Sequence, residues 1–192
     1  VGTGPEQLSL DASGTRAVVN CAGDGTVRTF DLNDPTGSLS VPLAVSGDPS
    51  WVRFIGDTDL VIATNSADPA NWAVLDFSDP ANPSVREQGE SISGFPYALT
   101  PYGDDFIFTS MTVNRFEWHH ISLADVPSTL ANSQSFEGIS VFPLGIVADP
   151  DTQRLIAPLA GTSALGLFDL TSDAHALITY PTSPGPTYAI LE

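Results

Sequence analysis

Apolar and polar residues alternate along this chain in short runs, and Gly, Pro, Asn and Asp separate the runs. The clearest stretch is Gly14 to Pro35, GTRAVVNCAGDGTVRTFDLNDP. Thr15 to Cys21 is rich in β-branched residues, Gly23-Asp24-Gly25 supplies a turn that tolerates positive φ, and Thr26 to Leu32 alternates until Asn33-Asp34-Pro35 stops it. The pattern predicts strand, tight turn, strand, turn. Nowhere does a helix-like apolar period run for more than a turn or two. Gly and Pro, 16 of each, are spread evenly, which suits many short strands with many turns.

The stretch recurs. An apolar residue followed by Asp or Ser closes the alternating strand at Phe30-Asp31, Leu75-Asp76, Ile121-Ser122 and Phe168-Asp169, with spacings of 45, 46 and 47. Turn glycines open each unit at Gly4, Gly47, Gly94, Gly138 and Gly185, with spacings of 43, 47, 44 and 47. Two landmarks with one period of this size, and four strands per period, are the signature of a β-propeller. The predicted fold is all-β: a propeller, or propeller segment, of four four-stranded antiparallel blades over about 4–46, 47–93, 94–137 and 138–184, with 185–192 starting a further blade. In each unit the first strand is short and small or apolar, as suits an axis. The second is the most hydrophobic (Leu60 to Ala63, Phe106 to Phe108), as suits a strand buried on both faces, and the fourth is more polar, as suits an outer edge.

Four blades and a spare inner strand, Gly185 to Ile190, leave the ring unbalanced. Propellers commonly close with a blade built from both ends of the chain, and here no complementary three-strand piece opens the sequence. The expectation is that the chain is part of a longer one or pairs with another copy through open blade faces. A true four-bladed ring is the runner-up.

A resemblance follows from these residues. Pro5 to Gly14, Ala17-Val18-Val19-Asn20, Gly25-Thr26-Val27 and Phe30-Asp31 together resemble the YVTN-type propeller repeat. Trp72 to Pro83, WAVLDFSDPANP, is similar to the LVIVD repeat of bacterial surface propellers. Units three and four depart from the tetrad, with Phe108 to Met111 and Ala157 to Leu159 in its place. The resemblance implies an extracellular, cell-surface or periplasmic bacterial location. It also implies a binding or assembly role, or alternatively a lactonase or a quinone- or haem-dependent dehydrogenase with an axial site.

Composition narrows the partners. Six Arg and no Lys stand against 17 Asp and six Glu, a net charge of −17. Such a surface repels nucleic acid and anionic membrane. No stretch approaches the apolar length of a membrane span. Cys21 is alone, so no intrachain disulfide forms, and no Asn-x-Ser/Thr acceptor is present. The chain starts at Val1, so a missing leader carries no weight.

Candidate chemistry is sparse. There is no G-x-S-x-G, Walker A loop or G-x-G-x-x-G. His119 and His120 are strand neighbours and point to opposite faces, so they cannot share a metal; one packed and one solvated ring are expected. The carboxylates Asp31/Asp34, Asp57/Asp59, Asp76/Asp79, Asp104/Asp105 and Asp149/Asp151 suit turn capping, with calcium the one cofactor they allow. Arg53, on a predicted inner strand, suits an anion or a pairing with Asp48. Trp51, Phe95, Tyr97, Phe142 and Tyr188 recur at the entry to inner strands, where aromatics pack between blades or ring the channel mouth. The connections Asn65 to Asn71 and Thr112 to Phe116 are expected at the rim. The candidate ligand- or partner-binding residues are therefore Arg53, Trp51, Tyr97, Asn65, Asn71, Arg115 and His119, with no catalytic or metal set. The expected function is a non-catalytic scaffold whose partner is a protein or the rest of a longer chain.

Overall fold

The computed structural model describes residues 2–34, 36, 38–42, 48–56, 58–65, 71–79, 82–89, 92–112, 115–124, 127–137, 145–159, 163–171 and 177–182, with the backbone alone described at 38–42, 62, 63, 65, 137 and 177. Blade 1 is β1 (Pro5–Leu10), β2 (Arg16–Cys21), β3 (Thr26–Asp31) and β4 (Ser38–Pro42). Blade 2 is β5 (Pro49–Phe54), β6 (Leu60–Asn65), β7 (Trp72–Asp76) and β8 (Ser84–Gln88). Blade 3 is β9 (Phe95–Tyr102), β10 (Asp105–Thr112), β11 (Arg115–Ser122) and β12 (Thr129–Glu137). Blade 4 is β13 (Val147–Asp149), β14 (Arg154–Leu159), β15 (Ala164–Asp169) and β16 (Leu177–Pro181). Each sheet is a meander whose strands pair in sequence order, and every pairing is antiparallel. The four sheets are the blades of a β-propeller, with the first strands innermost: β1 lies against β5, β5 against β9 and β9 against β13. One 3-10 turn, Ala22–Asp24, is the only helical element among the described residues.

The turns form where their chemistry requires. Gly25 follows the 3-10 turn with φ +65 and donates its N–H to the Ala22 carbonyl, as a left-handed C-cap does. Gly94 enters β9 at φ +94, and a Cβ there would sit 3.0 Å from the Met111 carbonyl oxygen. The Asp that closes the third strand of blades 1, 2 and 4 caps the next turn. Asp31, Asp76 and Asp169 accept the N–H of Asn33, Ser78 and Thr171, each at 2.8 Å. The recurring Asp is thus a structural device. Gly47, Gly138, Gly185 and the expected fifth inner strand lie outside the described residues.

Blade 3 departs from the expected bounds. Its first three strands run eight residues each, and β10 and β11 are joined across Val113-Asn114 alone. The expected long rim connection from Thr112 to Phe116 is therefore strand at both ends: Met111 pairs with Phe116 and Thr112 with Arg115. The two strands thus stay in register to those ends.

The core lies between the blades. Period-two alternation sends one row of each sheet to each neighbour. Val18 and Val27 of blade 1 meet Val52, Phe54, Val61, Leu75 and Phe77 of blade 2 in one cluster. A larger, aromatic-rich cluster runs through blades 2, 3 and 4, with Trp51, Trp72, Phe106, Phe108, Phe116, Trp118 and Phe168 among its members. Burying each such side chain stabilises the fold by roughly 1.5–3 kcal/mol relative to exposure.

Candidate functional site

Arg115 and His119 are brought together, on one face of β11 turned to blade 2. Cross-strand register puts Ser110 opposite Glu117 and His119 opposite Phe108, which places the Ser110, Glu117 and His119 side chains on that one face. Ser110 Oγ lies 2.9 Å from His119 Nε2 and donates to the Ser93 carbonyl at 3.1 Å. Arg115 donates to Glu117 at 2.7 Å and to Ser93 Oγ at 3.2 Å. Glu117 Oε2 lies 3.6 Å from His119 Nε2. Burial, and then the Arg115 charge, pull the His119 pKa down to about 4, so the ring is neutral near pH 7. Its Nδ1 is buried without a hydrogen-bond partner. A Ser–His–acid triad needs the acid on the second ring nitrogen. Here both neighbours crowd Nε2, so the arrangement lacks the relay geometry.

Arg53 lies on β5 between two apolar neighbours. It donates to the Val52 carbonyl at 2.8 Å, and its guanidinium sits 5.6 Å from the Trp51 ring centroid. Trp51 is buried in the main cluster with Ile55, which makes it a packing residue. Tyr97 is half-buried on β9, and Asn71 is half-buried just before β7. Asn65 ends β6, pairing with Pro49; its side chain, residues 66–70, Phe142 and Tyr188 lie outside the described residues. The candidates thus belong to separate local clusters: Arg53 with Trp51, and Arg115 with His119.

Several polar clamps escaped the sequence reading as seam chemistry. Asn20, fully buried, accepts the Gln7 N–H at 2.7 Å and donates from Nδ2 to the Pro49 carbonyl at 2.6 Å, tying the inner strands of blades 1 and 2. Arg16 reaches Asp11 at 3.2 Å, the Phe77 carbonyl at 3.2 Å, and Asp59. Burial works to raise the Asp11 carboxyl, but the Arg16 N–H, the Ser13 hydroxyl, the Arg16 guanidinium and the Thr15 N–H outweigh it and hold it at about 2. His120 is half-buried rather than solvated, and pairs with Asp105 at 2.9 Å. Tyr102 stands edge-on to it with ring centroids 5.0 Å apart, its hydroxyl pKa raised by burial and by Asp105 and Asp149. No group of three or more His, Cys, Asp or Glu able to hold a metal occurs among the described residues. No helix is long and apolar enough to cross a membrane among them.

A groove of about 360 Å³ opens between the outer parts of blades 2 and 3, lined by Trp72, Gly89, Ile92, Ile121 and Leu130. Gly89 is required there, because a Cβ would sit 1.7 Å from the Trp72 ring. At its rim Glu87 accepts the Ser128 N–H at 2.7 Å and also binds the Ser128 hydroxyl, joining the two blades.

No family model matches this chain, and no curated protein does. Solved structures do. Hydrazine synthase of Kuenenia stuttgartiensis is similar at TM-score 0.75 and 14% identity, over 96% of this chain and 64% of that one. A 6-phosphogluconolactonase named as putative, from Bacteroides fragilis, gives 0.73 and 10% over 96% and 56%. A functionally unknown protein from Desulfotomaculum acetoxidans gives 0.73 and 13% over 100% and 62%. At such identities the likeness shows the propeller fold alone. The chain spans about 56–64% of the length of these structures.

Proposed function

We propose that this chain is a non-catalytic β-propeller scaffold that binds and assembles with protein, on a bacterial surface or outside the cell. The single observation that carries the reading is the state of its polar groups. The Arg115, Glu117, Ser110 and His119 side chains are spent on one another and on Ser93 inside a seam. Meanwhile several large apolar side chains, including Leu8, Leu10, Phe95, Leu130 and Tyr180, stand exposed. Leu8 and Leu10 adjoin on one face of β1, as Ile178 and Tyr180 do on β16, and adjoining exposed apolar groups support an interaction surface. The carboxylates that cap strands are likewise engaged by their own turns. The YVTN-like and LVIVD-like stretches support membership of a bacterial surface propeller family.

The alternative, an axial enzyme, supplies the test. Purified protein is assayed against a δ-lactone panel that includes 6-phosphogluconolactone, and its visible absorbance is recorded. The scaffold reading expects no turnover above buffer and no absorbance beyond the protein's own. Turnover lost in Arg53→Ala with unchanged Tm, or a quinone or haem spectrum, overturns it.

A further inference from the structure

Blade 1 repeats a buried surface of blade 2; Val19 and Ala17 on it are buried, at 8% and 2% exposure, but its two inner-strand leucines stand exposed. Val52 pairs with Ala63 and Ala63 with Ala73; Phe54 pairs with Val61 and Val61 with Leu75. Val52, Phe54, Val61 and Leu75 of these rows lie on the face of blade 2 that rests on blade 1. The same register in blade 1 gives Leu8–Val19–Arg28 and Leu10–Ala17–Phe30. Val52 and Phe54 are 0% and 4% exposed, whereas Leu8 and Leu10 are 57% and 51% exposed.

Blade 4 carries the complement. In blade 1 the rows that cover Val52 and Phe54 are Ser9–Val18–Thr29 and Asn20–Val27. Their counterparts in blade 4 are Val147–Ile156–Leu167–Ile178 and Pro158–Leu165–Tyr180. The opposite rows, through Leu155 and Phe168, face blade 3. Where blade 1 has Ser9, Asn20 and Thr29, blade 4 has Val147, Pro158 and Leu167, so this outward face is the more apolar. Ile178 and Tyr180 on it are 47% and 52% exposed.

We infer that the Leu8/Leu10 face of one copy receives the Ile178/Tyr180 face of a second copy, head to tail, continuing the blade 1–blade 2 seam between molecules. The inference rests on the scaffold reading and names its partner. The Leu8/Leu10 face carries Arg28 beside its apolar residues, whereas the Ile178/Tyr180 rows are apolar throughout, and the pairing is of unlike faces as in the blade 1–blade 2 seam. Two copies at −17 each repel, so association strengthens as salt screens that charge.

Sedimentation velocity in moderate salt tests this on the whole chain. Leu8→Asp/Leu10→Asp spoils one face and Ile178→Asp/Tyr180→Asp the other. All four residues are exposed, and circular dichroism and Tm confirm that each variant folds. The wild type is expected to associate with rising concentration. Each double variant alone is expected to dissociate at least about 100-fold more readily, as loss of two central apolar anchors implies. An equimolar mixture of the two variants restores a dimer through the one intact pair of faces. A wild type monomeric at every concentration, a variant that associates as wild type does, or a mixture that stays monomeric overturns the inference. If the protein is monomeric and also fails to turn over lactones, the scaffold reading stands and only the second copy is removed as its partner.

Discussion

The seam between blades 1 and 2 and the seam between blades 2 and 3 share one backbone plan and use different chemistry. The first is aliphatic apart from Phe54 and Phe77, and polar side chains reach across it to backbone: Asn20 to Pro49, Arg16 to Phe77, and Phe54 N–H to Ser9 Oγ at 3.2 Å. The second is aromatic, with Trp72 edge-on to Phe106 at 5.4 Å, and it encloses the neutral His119. Backbone pairing fixes the blade, and the side chains at equivalent rows decide how strongly and to what each blade sticks. A face whose register demands a neighbour keeps that demand when the neighbour is another molecule.

The widest gap between the seams should appear on truncating an aromatic. Phe106→Ala, at a fully buried position, is expected to cost about 3–5 kcal/mol in urea unfolding at constant m. Val27→Ala in the first seam should cost clearly less. Equal losses would break the distinction.

Acid separates the seams next. The His119 pKa is lowered from 6.5 in the free side chain to about 4 in the fold, so the unfolded chain takes the proton more readily. Stability is therefore full above about pH 6.5 and falls as the pH drops from there towards 4. At 1.36 kcal/mol per unit the loss is about 3 kcal/mol. Asp11 has the same sign over a lower window, its pKa lowered from 3.8 to about 2, so its contribution is present above pH 3.8 and disappears only as the pH falls towards 2. His119→Gln should flatten the 6.5-to-4 window in a pH series of urea midpoints. A wild-type curve already flat there would show that the second seam holds no buried titrating group.

The smallest of the three effects belongs to the first seam. Asn20→Ala leaves the Gln7 N–H and the Pro49 carbonyl without their side-chain partner, at a cost of about 2 kcal/mol. Asn20→Asp keeps the acceptor for Gln7 but sets a buried carboxylate against the Pro49 carbonyl, so its urea midpoint should fall below that of Asn20→Ala. A loss below about 0.5 kcal/mol in Asn20→Ala would reduce the clamp to a bystander.

Much of the fold was legible because its signals are local. Gly25, the Asp at the end of the third strand and the 45–47 spacing each report a turn or a strand end without reference to the rest of the chain. Strand limits were less so. β9 begins at Phe95 and β12 at Thr129, because ladder bonds to β10 and β11 extend them beyond what propensity predicts. The Arg115–His119 cluster was half legible. Sequence marked the two residues as unusual, but Ser110 and Glu117 emerge only from the hairpin register. Extending the two strands to Thr112 and from Arg115, rather than leaving a long rim connection, would have supplied that register. The Asn20 clamp depends on where blade 2 docks, which no local signal reports. The contrast between Leu8/Leu10 and Val52/Phe54 could be aligned from the repeat, but which copy is covered is a property of the assembled blades.

The most direct test of the account is carbene footprinting of Leu8 and Leu10 against Val52 and Phe54 as the protein is concentrated in moderate salt. Val52 and Phe54 should be protected throughout. Leu8 and Leu10 should label strongly at the lowest concentration and become protected, together with Ile178 and Tyr180, as the protein associates. Leu8 and Leu10 that label equally at every concentration, or that are already protected when dilute, would contradict the claim that this face awaits a second copy.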